Sequence, residues 1–187
     1  MSARPNFART LFRPVLLIAL TGLVLAGCSS LNPFADKAPA PACPDVRLVE
    51  NLNRMAQYRD GPGRDLTDVV IEARFGEMSG ACSYDRDAVI VDLLLSIEVA
   101  RGPGNTDRKA KFDYFVAITD PADRILTKQV FPVEIEFERT QNRQRFIDEL
   151  TQRIPLADLK QGPNHRILLG FQIREDQLEE NLRRPQR

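Results

Sequence analysis

Residues 89–99 read VIVDLLLSIEV. Val89, Val91, Leu93, Leu95, Ile97 and Val99 share one parity. Asp92, Ser96 and Glu98 share the other, with Ile90 and Leu94 as apolar exceptions. A helix would scatter the six apolar residues around its circumference, whereas a strand places them on one face. This stretch is therefore a strand with one buried side, and it sets the pattern by which its neighbours are read.

Downstream, the run 101–105 (RGPGN) ends the strand, and Phe112, Tyr114, Val116 and Ile118 alternate in the next one. The segment 119–123 (TDPAD) has the composition of a tight turn. Phe131, Val133, Ile135 and Phe137 then alternate with Pro132, Glu134, Glu136 and Glu138. Proline cannot donate to a ladder, so this strand is expected at an edge or at a bulge, with its glutamates in water. In 145–154, Phe146, Leu150 and Ile154 fit a helix stripe or a strand; Pro155 and the strand-rich surroundings favour a strand. After a turn at 162–164, Ile167, Leu169, Phe171 and Ile173 make the last strand, and 177–184 reads as a short surface helix or tail. Upstream, Val69, Ile71, Ala73 and Phe75 alternate with Glu72 and Arg74. Met78-Ser79-Gly80 reads as a turn and 81–84 as a short return strand. The segment 46–58 reads as one strand or two short ones, followed by a turn at 61–65.

The count is seven or eight strands separated by turns. That predicts an all-β fold, an antiparallel β-sandwich over 43–176, followed by a tail at 177–187. In architecture it resembles immunoglobulin and fibronectin type III domains, although the chain has no Trp to fill the usual core position.

The leader is also legible. Arg4, Arg9 and Arg13 precede a run at 15–25 that is apolar apart from Thr21 and Gly22, and Leu25-Ala26-Gly27-Cys28 closes it. A basic start, a short apolar stretch and small residues before the cut form an export signal, too short to span a membrane as a helix. The last four residues resemble the lipobox of bacterial lipoproteins. The resemblance implies a signal peptide at 1–27, cleavage before Cys28, and lipidation of Cys28 by two or three acyl chains that anchor the protein in a membrane. With Ser29 rather than Asp next to the cysteine, the same resemblance implies the outer membrane, facing the periplasm. Residues 28–42 end in Ala and Pro (APAPA at 38–42) and form a tether of about 3 Å per residue, on the order of 40 Å in reach.

Cleavage leaves residues 28–187, about 160 residues, enough for one domain with its own core. The whole chain carries 26 basic and 26 acidic residues, and loss of the three leader arginines leaves an acidic excess of three. That balance argues against nucleic acid as a partner. Cys43 and Cys82 most simply form one disulfide in an exported domain, closing a loop of about 40 residues for roughly 4 kcal/mol. A zinc site would need further ligands, and His165 is the only histidine.

No stretch carries a catalytic motif. His165 sits in a turn beside Asn164, with no G-x-S-x-G in the chain, and is read as an exposed turn residue. Asp85/Asp87 and Asp120/Asp123 lie in turns, where Asp bonds to backbone N–H groups, and neither pair has the run of oxygens that calcium takes. The expectation is no enzyme, no cofactor and no metal. Arg64-Asp65, Asp85-Arg86-Asp87 and Asp123-Arg124 form candidate partner-binding loops. With strands alternating in direction, and 81–84 counted as its own strand, they fall at one end of the sandwich, opposite the tether. The segments 63–69, 82–84, 101–103, 114–117 and 170–172 (GRDLTDV, CSY, RGP, YFVA and GFQ) resemble a group of uncharacterised alphaproteobacterial envelope lipoproteins. The resemblance implies no activity. The expected function is a lipid-anchored domain that binds or scaffolds another envelope component, most simply a protein. The alternatives are a lipid or glycan carrier, with a groove lined by the 89–99 face, and, less favoured, an envelope hydrolase.

Overall fold

The structure is a computed structural model that describes residues 39–61 and 63–183. It divides into Met1–Pro39 and Ala40–Arg187. The leader at 1–27, Cys28 and the tether as far as 38 lie outside the described residues, as do Pro62 and 184–187. Among the described residues the folded unit contains eight strands: β1 (Asp45–Leu48), β2 (Arg54–Tyr58), β3 (Val69–Tyr84), β4 (Ala88–Arg101), β5 (Lys109–Thr119), β6 (Ile125–Glu136), β7 (Arg143–Pro155) and β8 (Arg166–Phe171). A 3-10 turn at Leu159–Asn164 precedes β8, and one helix, α1 (Glu175–Arg183), follows it. The segment 46–58 is thus two short strands, and 145–154 belongs to a strand.

The strands form two four-stranded sheets of order β1-β8-β5-β6 and β2-β3-β4-β7, packed as a β-sandwich. Every pairing is antiparallel except β1 with β8. In the arrangement of an immunoglobulin sandwich, β3, β4 and β7 stand where A, B and E do, and β6, β5 and β8 stand where C′, C and F do. The place beside the F-like strand is taken by β1, from the start of the domain, and the chain leaves β8 into a helix rather than a further strand.

The face of 89–99 forms the floor of the core, with Val89 and Ile97 at 0 % exposure and Leu93, the most open of the six, at 6 %. Phe171 reaches across from the other sheet to Phe75, their ring centroids 4.7 Å apart, and Tyr114 stacks on Phe131 at 5.1 Å. The Tyr114 hydroxyl donates to Asp148 Oδ2 at 2.6 Å, tying β5 to β7 across the two layers. Burial, and then the neighbouring carboxylate, push this phenol well above its ordinary range.

One expected turn is absent. Met78-Ser79-Gly80 does not reverse the chain, because β3 runs through it as a single strand of 16 residues. The register against β4 steps by one residue between Phe75 and Met78. Gly76 and Glu77 together oppose Ser96, whose hydroxyl donates to the Glu77 carbonyl at 3.1 Å. The bulge switches the inward parity of β3 from odd to even, so that Cys82 faces the core side opposite Val91. Cys82 therefore lies near the end of a long strand, in the hairpin that β3 makes with β4 rather than in one turned at 78–80. It is bonded to Cys43, with a Cα–Cα distance of 5.7 Å, and the Tyr84 hydroxyl donates to Ala42 O at 2.6 Å. The chain thus enters the domain at the end where β3 finishes and β4 begins. The opposite, far end holds the start of β3 and β7 and the end of β4. There the loop after Arg101 closes on Val69, with Gly104 N–H donating to the Val69 carbonyl at 2.8 Å. A Cβ on Gly102 would come within 2.2 Å of that oxygen.

Candidate functional site

The extra length of β3 separates the charged loops that the sequence groups together. Arg64 and Asp65, between β2 and β3, lie at the far end. Asp85, Arg86 and Asp87, between β3 and β4, lie at the entry end, as do Asp123 and Arg124, between β5 and β6. The cause is the count of strands: with the chain entering beside Cys43, one long β3 in place of two short strands reverses the end assigned to every loop after it, while Arg64 and Asp65 keep the far end assigned to them from sequence. The two loops that do share an end sit beside the Cys43–Cys82 bond rather than opposite the tether's point of attachment.

Most of these side chains are engaged locally. Arg64 donates to the carbonyls of Gly61 and Gly63, pairs with Asp176 at 3.4 Å and lies over the Tyr58 ring. Asp65 accepts from the amide and hydroxyl of Thr67 at 2.8 and 2.6 Å, and these bonds hold its carboxyl below the usual range. Asp87 pairs with Arg153, and Asp123 with Arg166. Asp120 accepts from the amides of Ala122 and Arg124 and from the Arg124 guanidinium, so it builds its own turn. Asp123 supplies the left-handed residue there, at φ 61°.

His165 is not an exposed turn residue. It is 7 % exposed, and its Nδ1 lies 2.9 Å from Gln161 O. A carbonyl only accepts, so the proton sits on Nδ1. Among the described residues, no group of three or more His, Cys, Asp and Glu is placed to hold a metal ion.

A more open site lies on the outer face of the second sheet, at the far end. The register aligns Arg54, Arg74, Glu98 and Arg145 in one row across β2, β3, β4 and β7, and Ala56, Glu72, Ala100 and Arg143 in the next. The small alanines leave a depression between charged walls, a groove of about 570 Å3 bordered on one side by Asn181 of α1. Four arginines face two glutamates in it. Glu98 takes both Nε and Nη2 of Arg74, at 2.9 and 2.6 Å, and Arg145 more loosely at 3.5 Å. The Arg74 hydrogen bond and charge, in that order, hold the Glu98 carboxyl below its ordinary range. The groove therefore offers guanidinium groups on rigid strands, with more positive than negative charge, in a chain of balanced overall charge.

Helix α1 docks on β2 through two polar residues that sequence reading left unassigned, and the second of them, Asn181, borders the groove. Gln177 and Asn181 are buried, and their side-chain amides donate to the β2 carbonyls of Ala56 and Arg54 at 2.8 Å each. Asn181 also donates to Asn51 O at 2.7 Å. Four residues of helix rise about 6 Å and two of strand about 6.6 Å, so this spacing reads successive outward carbonyls of an edge strand. The available signal was a Gln and an Asn four residues apart on a short helix; its target was not visible. Likewise, the groove arginines stand on the polar parity of their strands, and only the register between strands gathers them.

All six side chains of the 89–99 face are buried against the opposite sheet; Val99 alone among them borders the groove, which lies on the outer face. No protein-family model matches the chain, and no curated protein or solved structure matches it.

Proposed function

We propose that this is a lipid-anchored cell-envelope protein whose β-sandwich binds or scaffolds another envelope component, most simply a protein, without catalysis. The leader and Cys28 supply the location, at the outer membrane and facing the periplasm. The arginine-lined groove carries the binding function. It is open and preformed on four paired strands, and its charge favours an acidic segment of the partner. It also lies at the end of the domain remote from Cys43, about 23–30 Å along the strands. Packing of the 89–99 face counts against a carrier of lipid between the sheets.

Crosslinking in intact cells followed by mass spectrometry tests this function. One defined protein is expected on the wild type. It should be lost both with Cys28→Ala, which removes the anchor, and with Arg74→Glu combined with Arg143→Glu, which inverts the groove. A lipid or glycan in place of a protein, or a partner indifferent to the groove, would refute the proposed function.

A further inference from the structure

The four outermost strands of the sandwich differ in how their free backbone is protected. β1 has four residues. β2 has five and is covered by the amides of Gln177 and Asn181. The part of β3 beyond β2 begins at the bulge and is tied to residues 42 and 43 through Tyr84 and Cys82. β6 carries Pro132 and a register step opposite Ile118/Thr119. Of the two long outer strands, β6 with 12 residues and β7 with 13, only β7 pairs in unbroken register, with β4, and has its proline deferred to the last position. An edge of this kind accepts a further strand.

We infer that the occupant is a second copy of this chain, paired antiparallel through β7 about a two-fold axis at Ile147. In such a pairing the numbers of opposing residues add to a constant. With the axis at Ile147, Ile147 meets its own copy, Arg145 meets Glu149 of the other chain, and Arg143 meets Thr151. Ile147 is 59 % exposed and Leu94, diagonal to it on β4, is 43 % exposed. Two copies of each make an apolar patch of four side chains on the axis, flanked by two opposite-charge pairs. Other axes are worse. At Asp148 the carboxylate faces itself and Arg143 faces Arg153; at Glu149, Glu faces Glu and Arg145 faces Arg153; at Phe146, Ile147 faces Arg145. The product is one eight-stranded sheet with its two arginine grooves on the same outer face. The dimer does not depend on the identity of any other partner.

The test uses the full-length chain with single added cysteines under mild oxidation. Opposed residues of an antiparallel pair lie about 4.5–5.5 Å apart at Cα, within reach of a disulfide. Ile147→Cys should therefore link into a covalent dimer. Thr151→Cys should not, because the two copies of residue 151 lie about 26 Å apart in this register. Glu149→Arg should reduce the Ile147→Cys link about tenfold, since the like-charge contact occurs twice across the axis, and adding Arg145→Glu should restore it. Sedimentation of the unmodified chain should show a monomer–dimer equilibrium. Equal linking at 147 and 151, linking at neither, or a monomer at all concentrations would overturn the inference. Loss of the groove partner with the dimer intact would count only against the proposed function.

Discussion

The two outer strands of the second sheet present the same chemistry to opposite fates. β2 is short, and its outward carbonyls are taken by α1. β7 is long, and among the described elements only β4 pairs with it. In both cases the side chains are mostly polar, so composition does not distinguish a closed edge from an open one. What distinguishes them is whether another element supplies donors at the strand's own repeat. On β2, Gln177 and Asn181 do so.

The largest effect is expected where that cover is removed. Replacing Gln177 and Asn181 together by Leu leaves three carbonyls without their donors, and should cost about 2–4 kcal/mol in urea unfolding while the protein gains a tendency to associate through β2. On the other side, Tyr114→Phe removes the bond that fastens Asp148 of β7 to the first sheet. It should cost about 1–1.5 kcal/mol, measured in the same way. Ile147→Ser should change the stability of the monomer by less than about 0.5 kcal/mol, because the side chain is already in water, yet weaken self-association measured by sedimentation.

The smallest effect concerns protonation in the groove. Glu98 is stabilised as a carboxylate by Arg74, so its folded-state pKa lies below the usual 4.5. That contribution is fully present above pH 4.5 and fades as pH falls through the lower folded value. A carbon-detected NMR titration should place the Glu98 midpoint below that of an exposed Glu, and Arg74→Gln should move it up.

These contrasts also mark the limit of what the chain discloses on its own. The alternation at 89–99 and at 167–171 identifies buried strand faces without a structure, and the cysteine pair fits the compartment that the leader implies. Gly76 to Gly80 was harder. A bulge and a hairpin both interrupt parity and both use small residues, and the difference depends on Ser96, 19 or 20 positions away, accepting its place opposite Gly76 and Glu77. That local ambiguity propagates into a global error, placing Asp85, Arg86, Asp87, Asp123 and Arg124 opposite the tether when they lie at the entry end. The groove was illegible for a related reason. Arg54, Arg74 and Arg145 are scattered over 92 positions of sequence and become neighbours only through three separate registers. His165 misleads through its company: Gly162, Pro163 and Asn164 signal a turn, but the residue that caps this 3-10 turn folds inward.

The bond between Cys43 and Cys82 also determines how the domain bears load. Tension arriving along the chain from before Cys43 would, without it, fall on the four residues of β1 and their pairing with β8. With it, the pull passes directly into β3, which is held along its length by β4. The shortest of the described strands is thereby taken out of the line of force, and any pull on the chain before Cys43 is met by the longest.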